Sequence, residues 1–118
     1  MLVRVDPASS SPLFAQIAAS IRMDAVAGRT QPGDRLPAAR ELAHALQVNL
    51  HTVLHAYQQL RDEGLVDMRP GRGAVVTSAV APLADLHAEI TALAAHARAL
   101  SLSPDTLAAL VKEAAHDR

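Results

Sequence analysis

Asn49, His51, Thr52 and His55 stand within seven residues of one another at the start of an amphipathic stretch. All four can donate or accept hydrogen bonds. None is a thiolate or a paired carboxylate, so the chemistry they offer is recognition rather than bond-making. Residues three and four apart on a helix are neighbours, which puts 51, 52 and 55 on one face and leaves Val53, Tyr57 and Leu60 to a core. Upstream lies Arg40, preceded by Arg35. A guanidinium there can fork onto a phosphate or a guanine edge. Downstream, Arg69 and Arg72 flank the tip Pro70-Gly71-Arg72-Gly73, where Gly71 and Gly73 allow the backbone to enter a narrow groove.

Each residue also has a plainer job. Asn49 can serve only as a helix cap, and His51 and His55 as ordinary exposed side chains. Arg35 and Arg40 have Asp34 and Glu41 as candidate ion partners, and Arg72 beside two glycines suits any turn. The i, i+4 histidines invite a metal, but no carboxylate or cysteine accompanies them at ligand spacing. It is the order of these features over some sixty residues that favours recognition of nucleic acid.

The elements that must carry these residues follow from the pattern. Ser11 as N-cap and Pro12 at the first helical position open a helix. Its apolar stripe is Leu13, Ile17, Ile21 and Ala25, and Gly28 closes it. Pro32-Gly33-Asp34 reads as a turn, and Pro37 as the start of a short helix bearing Leu42, Ala43 and Leu46. Gln47-Val48-Asn49 joins it to a third helix, Leu50 to Glu63, with Asn49 as cap and Gly64 following its end. Leu65 to Arg69 and Ala74 to Thr77 are strand-like and enclose a glycine-bearing loop, a hairpin signal. Ala79 to Pro82 reads as a joint. Beyond it come an Ala-rich helix, Leu83 to Leu100, and a last one opened by Ser103-Pro104-Asp105. The fold class is mainly α with a small β-hairpin wing: a winged helix-turn-helix over residues 1–80 and a two-helix segment over 81–118.

Composition narrows the rest. The chain has 118 residues, half of them apolar, with Phe14 and Tyr57 as its only Phe, Tyr or Trp. The core must therefore be aliphatic and small, and oligomerisation is a common supplement. The absence of cysteine excludes disulfides and thiolate metal sites. No apolar run approaches the roughly 18 residues of a membrane span, and the first residues lack a signal-peptide core, so no membrane partner and a cytoplasmic location are expected. Net charge is −1, made of +1 over residues 1–80 and −2 over 81–118. Affinity for a polyanion must come from a local patch. No phosphate loop, nucleophile elbow or metal set stands out, so neither an enzyme nor a cofactor is expected.

From Pro12 to Val76 the chain resembles the winged-helix domain of GntR-type bacterial transcriptional regulators. The residues that carry the resemblance are Pro32-Gly33-Asp34-Arg35-Leu36-Pro37, Arg40-Glu41-Leu42-Ala43, Asn49 with Thr52-Val53, Ala56-Tyr57, Leu60, Glu63-Gly64-Leu65 and Gly71-Arg72-Gly73. The Asn49 and Ala56-Tyr57 variants with so short a tail look like the smallest, YtrA-like subgroup. The resemblance implies DNA contacts at Arg40, His51, Thr52, Gly71 and Arg72, with Arg35, Asn49, His55, Arg69 and Gly73 beside them. It also implies a homodimer held by the C-terminal helices, through Leu83, Leu86, Ile90, Leu93, Leu100, Leu107, Leu110 and Val111. Many relatives carry arginines where this chain has Leu50 and Leu54, and Gln47 replaces a frequent glycine. These departures bear on the operator sequence, not the fold. The expected function is repression of transcription by a homodimer on a palindromic operator, with any small-molecule effector unknown. The alternative is a winged-helix protein-interaction module that no longer reads DNA.

Overall fold

In a computed structural model, residues 3–116 are described. The chain forms two compact units, one ending at Asp85 and one beginning at Leu86. The division thus falls five residues later than the 80/81 boundary expected from sequence, within a continuous helix.

The first unit contains α1 (Leu13–Val26), α2 (Ala39–Leu46), α3 (Leu50–Asp62), β1 (Val66–Arg69) and β2 (Gly73–Val76). Ile17, Val53 and Leu60 are fully buried where α1 crosses α3, and Leu42, Ala43, Val66, Val76 and Val80 are among the other residues of the core. The core is aliphatic apart from Tyr57, as the composition requires.

Local signals explain most helix ends. The Asn49 side chain caps α3 by accepting the His51 N–H at 2.7 Å. Gln47, at φ 56° and ψ 46°, ends α2 in the left-handed conformation, which a non-glycine adopts at a cost. Gly64 (φ 83°) turns the chain out of α3. Two starts differ from expectation. Pro12, extended at ψ 146°, and not Ser11 occupies the N-cap of α1, and no side chain caps it, because the proline ring carries no acceptor. Likewise α2 begins at Ala39 rather than Pro37. Ala38 is extended, and the Pro37 carbonyl is held elsewhere, accepting the Tyr57 hydroxyl at 2.6 Å.

The hairpin pairs Val66 with Val76 and Arg69 with Gly73. A third segment joins it: Gly33 and Leu36 N–H groups donate to the Val76 and Ala74 carbonyls, and Arg35 bridges Val75. The turn read at 32–34 therefore leads into a bridge at Arg35 that fastens the segment before α2 to the wing.

Two ion pairs brace α1. Arg22 grips Glu63 through Nε and Nη2 at 3.0 and 2.7 Å, tying α1 to the end of α3. That hydrogen bond holds the Glu63 carboxyl below its ordinary pKa. Arg29 reaches back to Asp24 Oδ1 at 2.9 Å. Asp24 is 3% exposed, and its Oδ2 has no partner among the described residues.

The predicted joint at Ala79–Pro82 is instead structured. Thr77 accepts the Ala79 N–H, Val80 is buried, and a 3-10 turn runs directly into α4 (Ala81–Ala99). Pro82 costs nothing in a first turn, where its missing N–H has no helical partner. The second unit is the rest of α4 with α5 (Pro104–His116), joined through Ser101 in a left-handed turn.

Candidate nucleic-acid interface

The helix pair α2–α3 and the hairpin place the sequence-predicted residues on the surface of the first unit. Asn49 is exposed but committed to its cap. His51 and His55 are exposed and Thr52 half-buried. All three border a shallow recess of about 420 Å3 together with Leu13 and Phe14 at the start of α1. His55 is not a free side chain there. Its imidazole lies parallel to the Phe14 ring, centroids 3.7 Å apart and planes 11° from parallel. Nothing in the sequence signalled this stack, because the two residues lie forty-one positions apart and meet only when α1 packs on α3.

Arg40 is exposed in the first turn of α2, and its guanidinium has no protein partner among the described residues. The ion pair with Glu41 that the sequence allowed is absent among them. Arg35 has a further contact that the sequence did not show. Its Nε donates to the Arg72 carbonyl at 3.0 Å, so this exposed side chain also holds the wing tip. Asp34 is engaged with the Gln31 N–H rather than with Arg35.

At the tip, the Arg72 N–H donates to the Arg69 carbonyl at 3.0 Å. Pro70 and then Gly71, at φ 76°, occupy the two central positions. Proline followed by a positive-φ residue is the pattern of a type II turn, so Gly71 is needed there. Arg69 makes a loose 3.5 Å contact with Asp67, both half-exposed. Such a pair contributes little and yields readily to a phosphate. The Arg72 side chain projects from the exposed tip without a protein partner among the described residues.

Leu50 and Leu54 differ in kind. Leu50 is half-buried against the core, whereas Leu54 is exposed. Among the described residues, no group of three or more histidine, cysteine or acidic side chains is placed to hold a metal. No helix among them is long and apolar enough to cross a membrane.

Two histidines, a threonine, an arginine without a protein partner among the described residues and a glycine-tipped wing thus lie on the surface of one small domain. Residues 13–76 match the family described as bacterial regulatory proteins, gntR family. The chain belongs to the GntR family. It is 37% identical over 76 residues to the HTH-type transcriptional repressor YtrA of Bacillus subtilis, a match covering 64% of this chain and 58% of that protein. It therefore spans less than two thirds of that relative's length. Among solved structures, YtrA from Sulfolobus acidocaldarius, a GntR-family transcription factor, superposes with a TM-score of 0.63 at 35% identity, covering 84% of this chain and 99% of that one. AraR(DBD) in complex with operator ORX1 superposes with a TM-score of 0.56 at 28% identity, over 63% of this chain and 92% of that chain.

On the second unit, Leu86, Ile90, Leu93, Leu100, Leu110 and Val111 are 45 to 61% exposed. Leu107 is half-buried in the α4–α5 hairpin, and Ala97 is buried there. A groove of about 340 Å3 between the two helices is lined by Leu93, Leu100, Leu107 and Val111, among others. Leu83, at the start of α4, is half-buried. It packs against the core of the first unit, because the start of α4 is pinned there by buried Val80.

Proposed function

We propose that this protein is a sequence-specific DNA-binding regulator that represses transcription as a homodimer on a palindromic operator. The observation that carries the reading is the conjunction of an unpaired Arg40, the capped start of α3 with His51 and Thr52, and a wing whose Arg72 tip is held by Arg35. In a helix-turn-helix the second helix enters the major groove and its first residues meet base edges, while a wing can follow the neighbouring groove. Arg40 then forks onto phosphate or guanine, His51 and Thr52 face the bases, and Arg72 lies against the backbone beside the minor groove. The likeness to a repressor and to a domain solved with its operator supports the same assignment.

The exposed leucines of α4 and α5 supply the dimer. A contiguous apolar surface of this kind is characteristically an interface. Pairing it with a second copy is the symmetric solution. One winged domain makes few base contacts. Two of them on half-sites about 34 Å apart combine their affinities through effective concentration. Repression is steric, a dimer lying across a promoter and excluding polymerase.

A net charge of −1 and an exposed Leu54 favour a second reading, a winged helix that binds protein. Selecting bound duplexes from a random pool separates the two. A DNA reader enriches a sequence with two inverted half-sites, and Arg40→Ala loses it. An interaction module enriches none.

A further inference from the structure

The face of α3 has two edges of different chemistry. His51, Thr52 and His55 border the recess near Phe14. On the other edge, toward the wing, stands Leu54, 40% exposed. Met68, 46% exposed, is the matching residue of β1. It pairs with Ala74 and sits two positions from buried Val66, so its side chain leaves the sheet on the same face as the core-facing Val66. Leu54 and Met68 line one recess of about 340 Å3, together with Pro37 and Ala39 and with Arg35 and Arg72. The hydroxyl of Tyr57, which also lines it, is already spent on the Pro37 carbonyl. Apart from the two guanidinium groups, this notch has no side chain with which to read a base by hydrogen bonding.

We propose that Leu54 and Met68 form an apolar notch that selects thymine over cytosine at one position of each half-site by enclosing the thymine C5-methyl group. The inference rests on the DNA reading above and adds a specificity element to it. The occupant follows from the surroundings. Arginines in the same recess fit a polyanion, and the thymine methyl is the apolar mark that a base pair shows in the major groove. Cytosine lacks that methyl, so it buries less apolar surface between Leu54 and Met68. Leu54 is placed for this because it follows His51 by three positions, one turn further along the helix that enters the groove. Met68 comes from a different element, so the notch forms only when wing and helix are both in place. Methionine adapts its shape to whatever it covers.

The test uses the full chain and the duplex it selects from a random pool. Each thymine is replaced in turn by deoxyuridine, which removes only the methyl group, and binding is titrated by fluorescence anisotropy. The parent should lose about fourfold at one thymine per half-site, the value of one buried methyl-sized group. Leu54→Ala and Met68→Ala should bind the thymine and deoxyuridine duplexes within about twofold of each other, while both still prefer the selected duplex over a scrambled one. Equal binding of every deoxyuridine duplex by the parent overturns the notch and leaves the DNA reading standing. So does a loss that persists unchanged in both variants. Failure to select any duplex rejects the DNA reading and the notch together.

Discussion

At the scale of single residues, the arginines divide into those that hold the protein and those that are held out from it. Arg22, Arg29 and Arg35 are all engaged, with Glu63, Asp24 and the Arg72 carbonyl. Arg40 and Arg72 have free guanidinium groups among the described residues. Arg40→Ala and Arg72→Ala should each weaken operator binding by about 1–3 kcal/mol with little change in melting temperature. Arg72→Ala should also shallow the dependence of log K on log salt by about one unit, because one phosphate contact is lost. Tyr57 shows the opposite case, a polar group spent on architecture. Its hydroxyl donates to the Pro37 carbonyl, and burial pushes its pKa well above the ordinary tyrosine value. Tyr57→Phe should cost about 0.5–1.5 kcal/mol in denaturant unfolding. The sign of the pH effect follows from the raised value. The unfolded chain ionises its tyrosine from about pH 10, while the folded one does not, so unfolding releases a proton. Stability should therefore be full below about pH 10 and fall above it, and Tyr57→Phe should remove that fall.

At the scale of elements, what was legible in the sequence was local. The Asn49 cap, the turn at Gln47, the exit at Gly64 and the hairpin around Pro70–Gly73 each depend on residues within a few positions, and each stands where the pattern put it. What was not legible joins distant segments: His55 on Phe14, Tyr57 to Pro37, Arg35 to the wing tip, and the bridge of Arg35 to Val75. Each such contact needs a crossing of helices or strands that no single segment encodes. That Leu83 packs on the core of the first unit was not legible for the same reason. A helical stripe tells which residues share a face, not which neighbour that face meets. The stripe on α4 and α5 beyond it remains exposed, and a pair of charges should disable it. Leu93→Asp combined with Leu110→Asp should leave the first unit folded, give a monomer by sedimentation where the parent gives a dimer, and weaken operator binding at least about tenfold, because each half-site is then bound alone. A double variant that sediments and binds like the parent removes α4 and α5 from the assembly.

At the scale of the whole molecule, a first unit with an aliphatic core and a single buried tyrosine carries the proposed recognition surface, and a helical hairpin with exposed leucines follows it. On the proposed reading neither unit suffices by itself: one winged domain makes few base contacts, and the exposed leucines of the hairpin supply the second copy. The most direct test is therefore the stoichiometry of the full chain on its selected duplex, measured by sedimentation velocity with one half-site and with two. Two chains should occupy a duplex carrying both half-sites about one helical turn apart, and binding should collapse when one half-site is scrambled. A single chain bound with undiminished affinity to one half-site would contradict the cooperative dimer.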